Sequence, residues 1–530
     1  MEQLAGIDSY FLYTERGNVY NHVAALGIYD PASAPGGKVR FRDILRHFGA
    51  RLGTNPVFRR RLVTAPHDVD RPYWIDDPDL DLEFHVRHIA LPEPGDWRQL
   101  MIQVARLHAR PLDRTRPLWE VYVIEGLERI PGLPAGGFAL FMKFHHASID
   151  GEAGAQLLRA VHTLSAEAEA EAKEAEPLYA EREPGAVELY TRAVAHGVGR
   201  AVGAAQLYAG TLGRIGEIAF GRLRHVLGHS GADGAPVALP GFVRAPITRF
   251  NRPVSANRVV EAVALPVERM QAARHRIEGA TINDLFLAIV GGALRRYLES
   301  KDELPSPSLV ALMPVSTRDD GRVAAAGNRV GGVPVPVGSH IADPIARLHA
   351  VHAGAQAARR DAEALGRGFL KASVDELPHA AAEFLARHFV YPQLNVTVSN
   401  VRGPEATLFV AGARLVHFYP LSIATDWIGL NHTGFSYNGV MWISAVACRN
   451  MMPDPGFYAD CLRASFEELM TAIEALPLPV KAGAAARGAK SRASTRPAPA
   501  PKHGRATPAR KPATRRTPAR RPKAGTTASE

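Results

Sequence analysis

The run Phe144-His145-His146-Ala147-Ser148-Ile149-Asp150-Gly151 gathers the side chains of this chain best suited to moving protons. It sits where a strand over Gly137–His145 runs out and a helix over Ala153–Leu164 is about to start. Successive strand residues point to opposite faces, so the two rings do not share one site: one faces a cleft and the other supports it. A histidine at a strand end suits a general base, because its ordinary pKa lies near working pH. Gly151 permits a positive-φ turn that reverses the chain after Asp150. Two other readings stay open here. The pair could be structural histidines, partly buried. His145, His146 and Asp150 could instead ligate a metal, but the opposed strand directions argue against it and no cysteine or second histidine cluster completes a ligand set. No metal is expected.

The elements that must hold this run are α/β in character. In the first half, Phe41–Leu52 reads as a helix and Trp119–Ile124 as a strand. In the second half, Arg258–Leu265, Leu309–Pro314, Leu394–Asn400, Phe435–Asn438 and Val440–Ala447 read as strands, and Ile282–Leu298 and Phe457–Ala475 as helices. Asn283 and Asp284 fall in the first turn of the apolar helix, where they either cap its exposed N–H groups or belong to a site. Pro111, Pro117 and Trp119 shape a loop and fill core. Gly327–Pro336 and Arg402–Glu405 read as loops.

In order along the chain, Gly6-Ile7-Asp8-Ser9-Tyr10-Phe11-Leu12, Asn21-His22-Val23, the stretch from Trp74 to His88, Arg110-Pro-Leu-Asp-Arg-Thr-Arg-Pro-Leu-Trp119-Glu120, Asn283-Asp284, Met313-Pro-Val-Ser-Thr-Arg318, Asn395-Val-Thr-Val-Ser-Asn400-Val-Arg-Gly403-Pro404 and Ser436-Tyr-Asn-Gly439 accompany the His-His-x-x-x-Asp-Gly run. Over roughly residues 4–475 this set resembles the bacterial wax ester synthase/diacylglycerol acyltransferase family, with Gly6–Leu12 and Asn21-His22-Val23 similar to its N-terminal strand region. The resemblance implies two chloramphenicol acetyltransferase-like α/β domains around a central channel. It implies acyl transfer from acyl-coenzyme A to diacylglycerol or a long-chain fatty alcohol, with acyl-coenzyme A as substrate and no cofactor. His146 is then the base and His145 a support. Asp150 is structural and pairs with Arg318, as fold relatives pair an Asp with an Arg. Asn283 is the candidate donor to the developing oxyanion, with Asp284 beside it. Two other functions compete: an acyltransferase using a carrier-protein thioester and a polyketide alcohol, and a non-catalytic coat on lipid inclusions.

Composition sets the limits. The chain has 530 residues, 46% hydrophobic and 22% charged, which excludes a disulfide miniprotein, a fibre and a wholly disordered chain. Its two cysteines, Cys448 and Cys461, exclude a disulfide framework and fit a reducing cytoplasm. The acidic N-terminus lacks the form of a signal peptide. The apolar stretch Leu285–Leu294 is too short to span a bilayer, so membrane contact is expected to be peripheral.

The net charge of +10 is unevenly placed. Residues 481–530 hold fourteen Lys and Arg against one acidic residue, while residues 1–480 hold 49 basic against 52 acidic ones. The expected organisation is an N-terminal half over 1–186, a linking helix and loop over 187–246, a C-terminal half over 247–480, and a disordered basic tail over 481–530. An Ala/Glu-rich stretch, Ser165–Pro184, reads as a solvated helix or linker, and Val187–Val226 as a long amphipathic helix. The tail has no aromatic residue to stack on bases, so its expected partner is an anionic membrane or lipid-inclusion surface and not nucleic acid.

Overall fold

The computed structural model describes residues 1–149, 157–167, 181–200, 202–203, 244–316, 330–365 and 379–477. Two six-stranded sheets organise them. The first has the order β12 (Phe409–Val410), β13 (Ala413–Leu421), β2 (His22–Asp30), β7 (Phe138–His145), β6 (Trp119–Glu125), β5 (Val86–Ala90). The second runs β10 (Val330–Pro336), β9 (Val310–Ser316), β11 (Val396–Arg402), β14 (Leu430–Tyr437), β15 (Val440–Cys448), β8 (Arg258–Pro266). A small sheet of β1 (Glu2–Gln3), β4 (Tyr73–Asp76) and β3 (Arg60–Val63) stands apart.

β7 is buried along its whole length, because β2 and β6 flank it on both edges. That explains its near-continuous apolar run. Its one charged residue, Lys143, reaches Glu120 Oε2 at 3.1 Å and donates to the carbonyls of Leu107 and Arg110 at 3.2 Å each. A buried ammonium without such partners would be very costly.

Strands β12 and β13 come from the second half of the chain yet complete the first sheet, β13 pairing antiparallel with β2. Apolar residues of both halves also share one core: Val260, Phe435, Tyr437 and Trp442 pack in the same cluster as Leu26, Phe141 and Phe418. The helix Ile282–Glu299 is buried nearly all round, which its sequence announces by being apolar on every face. Gly291 and Gly292 allow its close approach, since a Cβ at these positions would lie 1.9 Å from the Val337 carbonyl oxygen and 2.3 Å from Ser465 Oγ.

Two expectations fail. Gly6–Leu12 is no strand: Gly6–Tyr13 forms a helix, α1, burying Gly6, Ser9 and Leu12 at a spacing of three. Ser9 and Thr14 add side-chain bonds to carbonyls four residues back, so helical spacing prevails in a segment where strand was expected. The Gly/Pro-rich segment read as a loop contains β10, which among the described residues is an edge strand paired with β9. Its prolines, Pro334 and Pro336, lack an N–H to donate, and an edge is where a sheet tolerates them.

In the stretch expected to form one long amphipathic helix, residues 186–200 and 202–203 are helical. Leu189 packs against Val63, Ala65, Tyr73 and Ile75. His196 and Arg200 reach the buried Asp70 carboxylate at 2.9 and 2.7 Å. The rest of that stretch, most of the Ala/Glu-rich one and the tail lie outside the described residues.

Candidate active site

β2 and β7 set His22 opposite His145. His145 closes the strand with its ring buried, and its two nitrogens have distinct jobs. Nδ1 accepts the Ala147 N–H at 3.0 Å, and Nε2 lies 3.0 Å from Glu15 Oε1. A main-chain N–H can only donate, so the proton of the neutral ring sits on Nε2.

His146 starts a short 3₁₀ turn, His146–Ser148. Its main-chain N–H donates to the Asn21 carbonyl at 2.8 Å, and its ring stacks on Phe11 with centroids 3.9 Å apart. Desolvation pushes the His146 pKa down to about 4, opposed by a hydrogen bond with the backbone. The strand end separates the rings: His145 is buried and bonded to Glu15 and Ala147, and His146 is half-buried just past the end of β7.

The other expected residues are distributed as follows. Asp284 is buried, and its carboxylate takes the N–H and hydroxyl of Thr281, which is the true N-cap, and contacts His352 Nδ1 at 2.9 Å. Asn283 Oδ1 accepts from Asn400 Nδ2 at 2.6 Å, joining the helix start to β11. Trp119 is core, donating from its indole to the Phe58 carbonyl at 2.9 Å. Asp150, Gly151 and Arg318 lie outside the described residues, and with them the expected ion pair.

Sequence reasoning passed over Phe11 and Glu15. Phe11 falls in the segment read as strand, where its ring has no defined relation to His146. Glu15 stands in the polar stretch Thr14-Glu15-Arg16-Gly17-Asn18, whose composition reads as a surface loop. Only the fold shows its carboxylate turned inward. Burial raises the Glu15 pKa, and the bonds from His145, Arg114 and the Asn21 N–H more than offset this, leaving it lowered and the group ionised.

The catalytic-domain profile of the wax ester synthase/diacylglycerol acyltransferase family matches residues 4–286, and the profile of its C-terminal domain matches residues 326–470. The two sheets, with a histidine pair ending a central strand, are therefore those of an acyltransferase. A proposed diacylglycerol O-acyltransferase of Mycobacterium tuberculosis is 34% identical over 479 residues, covering 89% of this chain and 100% of the relative. A second from that organism is 31% identical over 484 residues, covering 89% and 90%. The solved wax ester synthase/diacylglycerol acyltransferase of Marinobacter aquaeolei is 25% identical with a TM-score of 0.61, covering 89% of this chain and all of that one. The starter condensation domain of rhizomide synthetase, at 15% identity and a TM-score of 0.50 over 90% and 97% of the two chains, shares the fold. The chain belongs to the wax ester synthase/diacylglycerol acyltransferase family, and it is an acyl-coenzyme A-dependent acyltransferase.

Proposed function

We propose that this enzyme esterifies diacylglycerol and long-chain fatty alcohols, with His146 as general base. The observation that carries the reading is the His146 ring, half-buried just past the end of β7, stacked on Phe11 and held neutral at working pH by its low pKa. As the acceptor oxygen attacks the thioester carbonyl, the neutral His146 ring takes the hydroxyl proton and a C–O bond forms. The tetrahedral intermediate then collapses, the C–S bond breaks, and the proton passes from His146 to the coenzyme A sulfur. Donors aimed at the developing oxyanion contribute about 3–4 kcal/mol in comparable sites. Asn283 is our candidate donor, its amide oriented by Asn400. Asp150 and Arg318 form the supporting ion pair in this scheme. No cofactor or metal takes part.

Peripheral attachment to a membrane or lipid-inclusion surface completes the proposal. The helical residues 186–200 and 202–203 support it: Val187, Val194, Val198 and Val202 are 54–80% exposed along one face, while Leu189 and Ala193 are buried on the other. Among the described residues no helix is long and apolar enough to cross a membrane. The basic tail adds attraction to anionic lipid.

The test is coenzyme A release from palmitoyl-coenzyme A, with diacylglycerol or hexadecanol supplied separately. Release that depends on either acceptor supports the reading. Release from neither refutes it, and would leave a carrier-protein donor or a coat function.

A further inference from the structure

Following the main chain around His146 leads back to one carboxylate. The His146 N–H donates to the Asn21 carbonyl at 2.8 Å. The Asn21 N–H donates to Glu15 Oε1 at 2.6 Å. On the other side, the Ala147 N–H donates to His145 Nδ1 at 3.0 Å, and the Nε2–H of the same ring donates to Glu15 Oε1 at 3.0 Å. The path closes on a single oxygen atom, and both peptide groups flanking the His146 Cα belong to it.

The second oxygen extends the grip. Glu15 Oε2 accepts from Arg114 Nη2 at 2.7 Å, and the same nitrogen donates to the Leu12 carbonyl at 2.7 Å. Leu12 adjoins Phe11 in α1, whose ring stacks on His146. Glu15 therefore acts on the His146 backbone through Asn21 and His145, and on the ring's stacking partner through Arg114. Its ionised state fits this work, since one carboxylate accepts three donors here and such charge-assisted bonds are the strong ones.

We propose that Glu15 is the positioning residue of the active site: by accepting from Asn21, His145 and Arg114 at once, it fixes the His145 tautomer and the orientation of His146. Glu15 does not touch substrate. The proposal rests on His146 being the base, and the experiment separates the two.

Turnover and KM for palmitoyl-coenzyme A are measured for Glu15→Gln, Glu15→Leu, His145→Asn, the double variant Glu15→Gln/His145→Asn, and His146→Ala. A glutamine keeps an oxygen for Asn21 and His145 but loses the charge and the acceptor for Arg114. A leucine loses every acceptor. Misplacing a reacting group by about 1 Å costs on the order of 100-fold. The expected kcat loss is accordingly about 10-fold for Glu15→Gln and on the order of 100-fold for Glu15→Leu, with KM within about twofold. The double variant should be no slower than the slower single one, because both act through one path. Should Glu15→Leu fail to fold, Glu15→Gln and the double variant still decide. Multiplicative losses in the double variant, or a raised KM with kcat intact, would overturn the positioning role. Turnover surviving in His146→Ala would overturn the base assignment itself, whatever the Glu15 variants do.

Discussion

His146 and His432 stand at the inner strands of the two sheets, and desolvation pulls both down to a pKa of about 4. Their surroundings differ in kind. His432 lies inside β14, fully enclosed, with Nε2 2.5 Å from the Tyr458 hydroxyl and Nδ1 3.3 Å from the Thr397 carbonyl. Both its nitrogens are used within the core of the C-terminal half. His146 lies just past the end of β7, half-buried, with its ring stacked on Phe11. A depressed histidine pKa therefore marks burial, and burial alone does not mark a site. Position on the strand separates the two: His432 is enclosed within β14, and the proposed base, His146, stands past the end of β7.

The largest expected effect falls on the His146 side. Removing a general base costs about 100- to 10,000-fold, so His146→Ala should lose essentially all coenzyme A release while melting near the wild-type temperature. His145→Ala, which deletes a support, should retain measurable turnover. Equal and complete loss in both variants would erase the distinction between the rings.

The reverse pattern is expected at His432. Replacing it with alanine leaves the buried Tyr458 hydroxyl without its partner, a loss of about 1–3 kcal/mol before any cavity is counted. Denaturant unfolding should show that loss, while turnover per folded molecule stays within about twofold of wild type. A tenfold fall in turnover at unchanged stability would place His432 in the chemistry and break the comparison.

Acid should sharpen it further. His47 and His432 are held at about 4, and His108 and His162 at about 3, burial being the leading cause in each. The unfolded chain takes up these protons near 6.5, the folded one far lower, so the stability they leave intact above 6.5 is lost as pH falls. Each costs about 1.4 kcal/mol per pH unit below that point while its folded form stays neutral. The unfolding midpoint should drop steeply between pH 6.5 and 5, and His432→Ala should drop less steeply than wild type. Parallel pH dependence in the two proteins would show that His432 already carries its proton in the fold.

The smallest effect concerns residues remote from both histidines. Truncation after Val480 removes the fourteen Lys and Arg beyond it. Each near an anionic leaflet contributes about 1 kcal/mol, screened by salt. Turnover on detergent-dispersed substrate should be unchanged, and sedimentation with anionic liposomes at low salt weaker. Equal sedimentation would assign the lipid contact to the exposed valines Val187, Val194, Val198 and Val202.

How much of this was legible in the sequence follows from which interactions are local. The strand–turn placement of His145 and His146 could be read because a strand's alternation acts residue by residue. The buried helix Ile282–Glu299 could be read because its apolar residues recur on every face. Helix α1 was missed because its buried positions, Gly6, Ser9 and Leu12, include two residues that carry no apolar signal. The joining of β13 to β2 was beyond reach, since nothing in Ala413–Leu421 names a partner nearly four hundred residues away. Glu15 was hidden for the same reason. Its meaning lies in Arg114 and His145, 99 and 130 residues along the chain.

Chemical rescue tests the role of His146 most directly. Adding free imidazole to His146→Ala, with palmitoyl-coenzyme A and hexadecanol present, should restore a measurable fraction of ester formation, because a small base can enter the space the ring vacates. The same addition should leave the rate of His145→Ala unchanged, since that variant keeps its base. Wild-type turnover by His146→Ala before any imidazole is added would contradict a general base at this position.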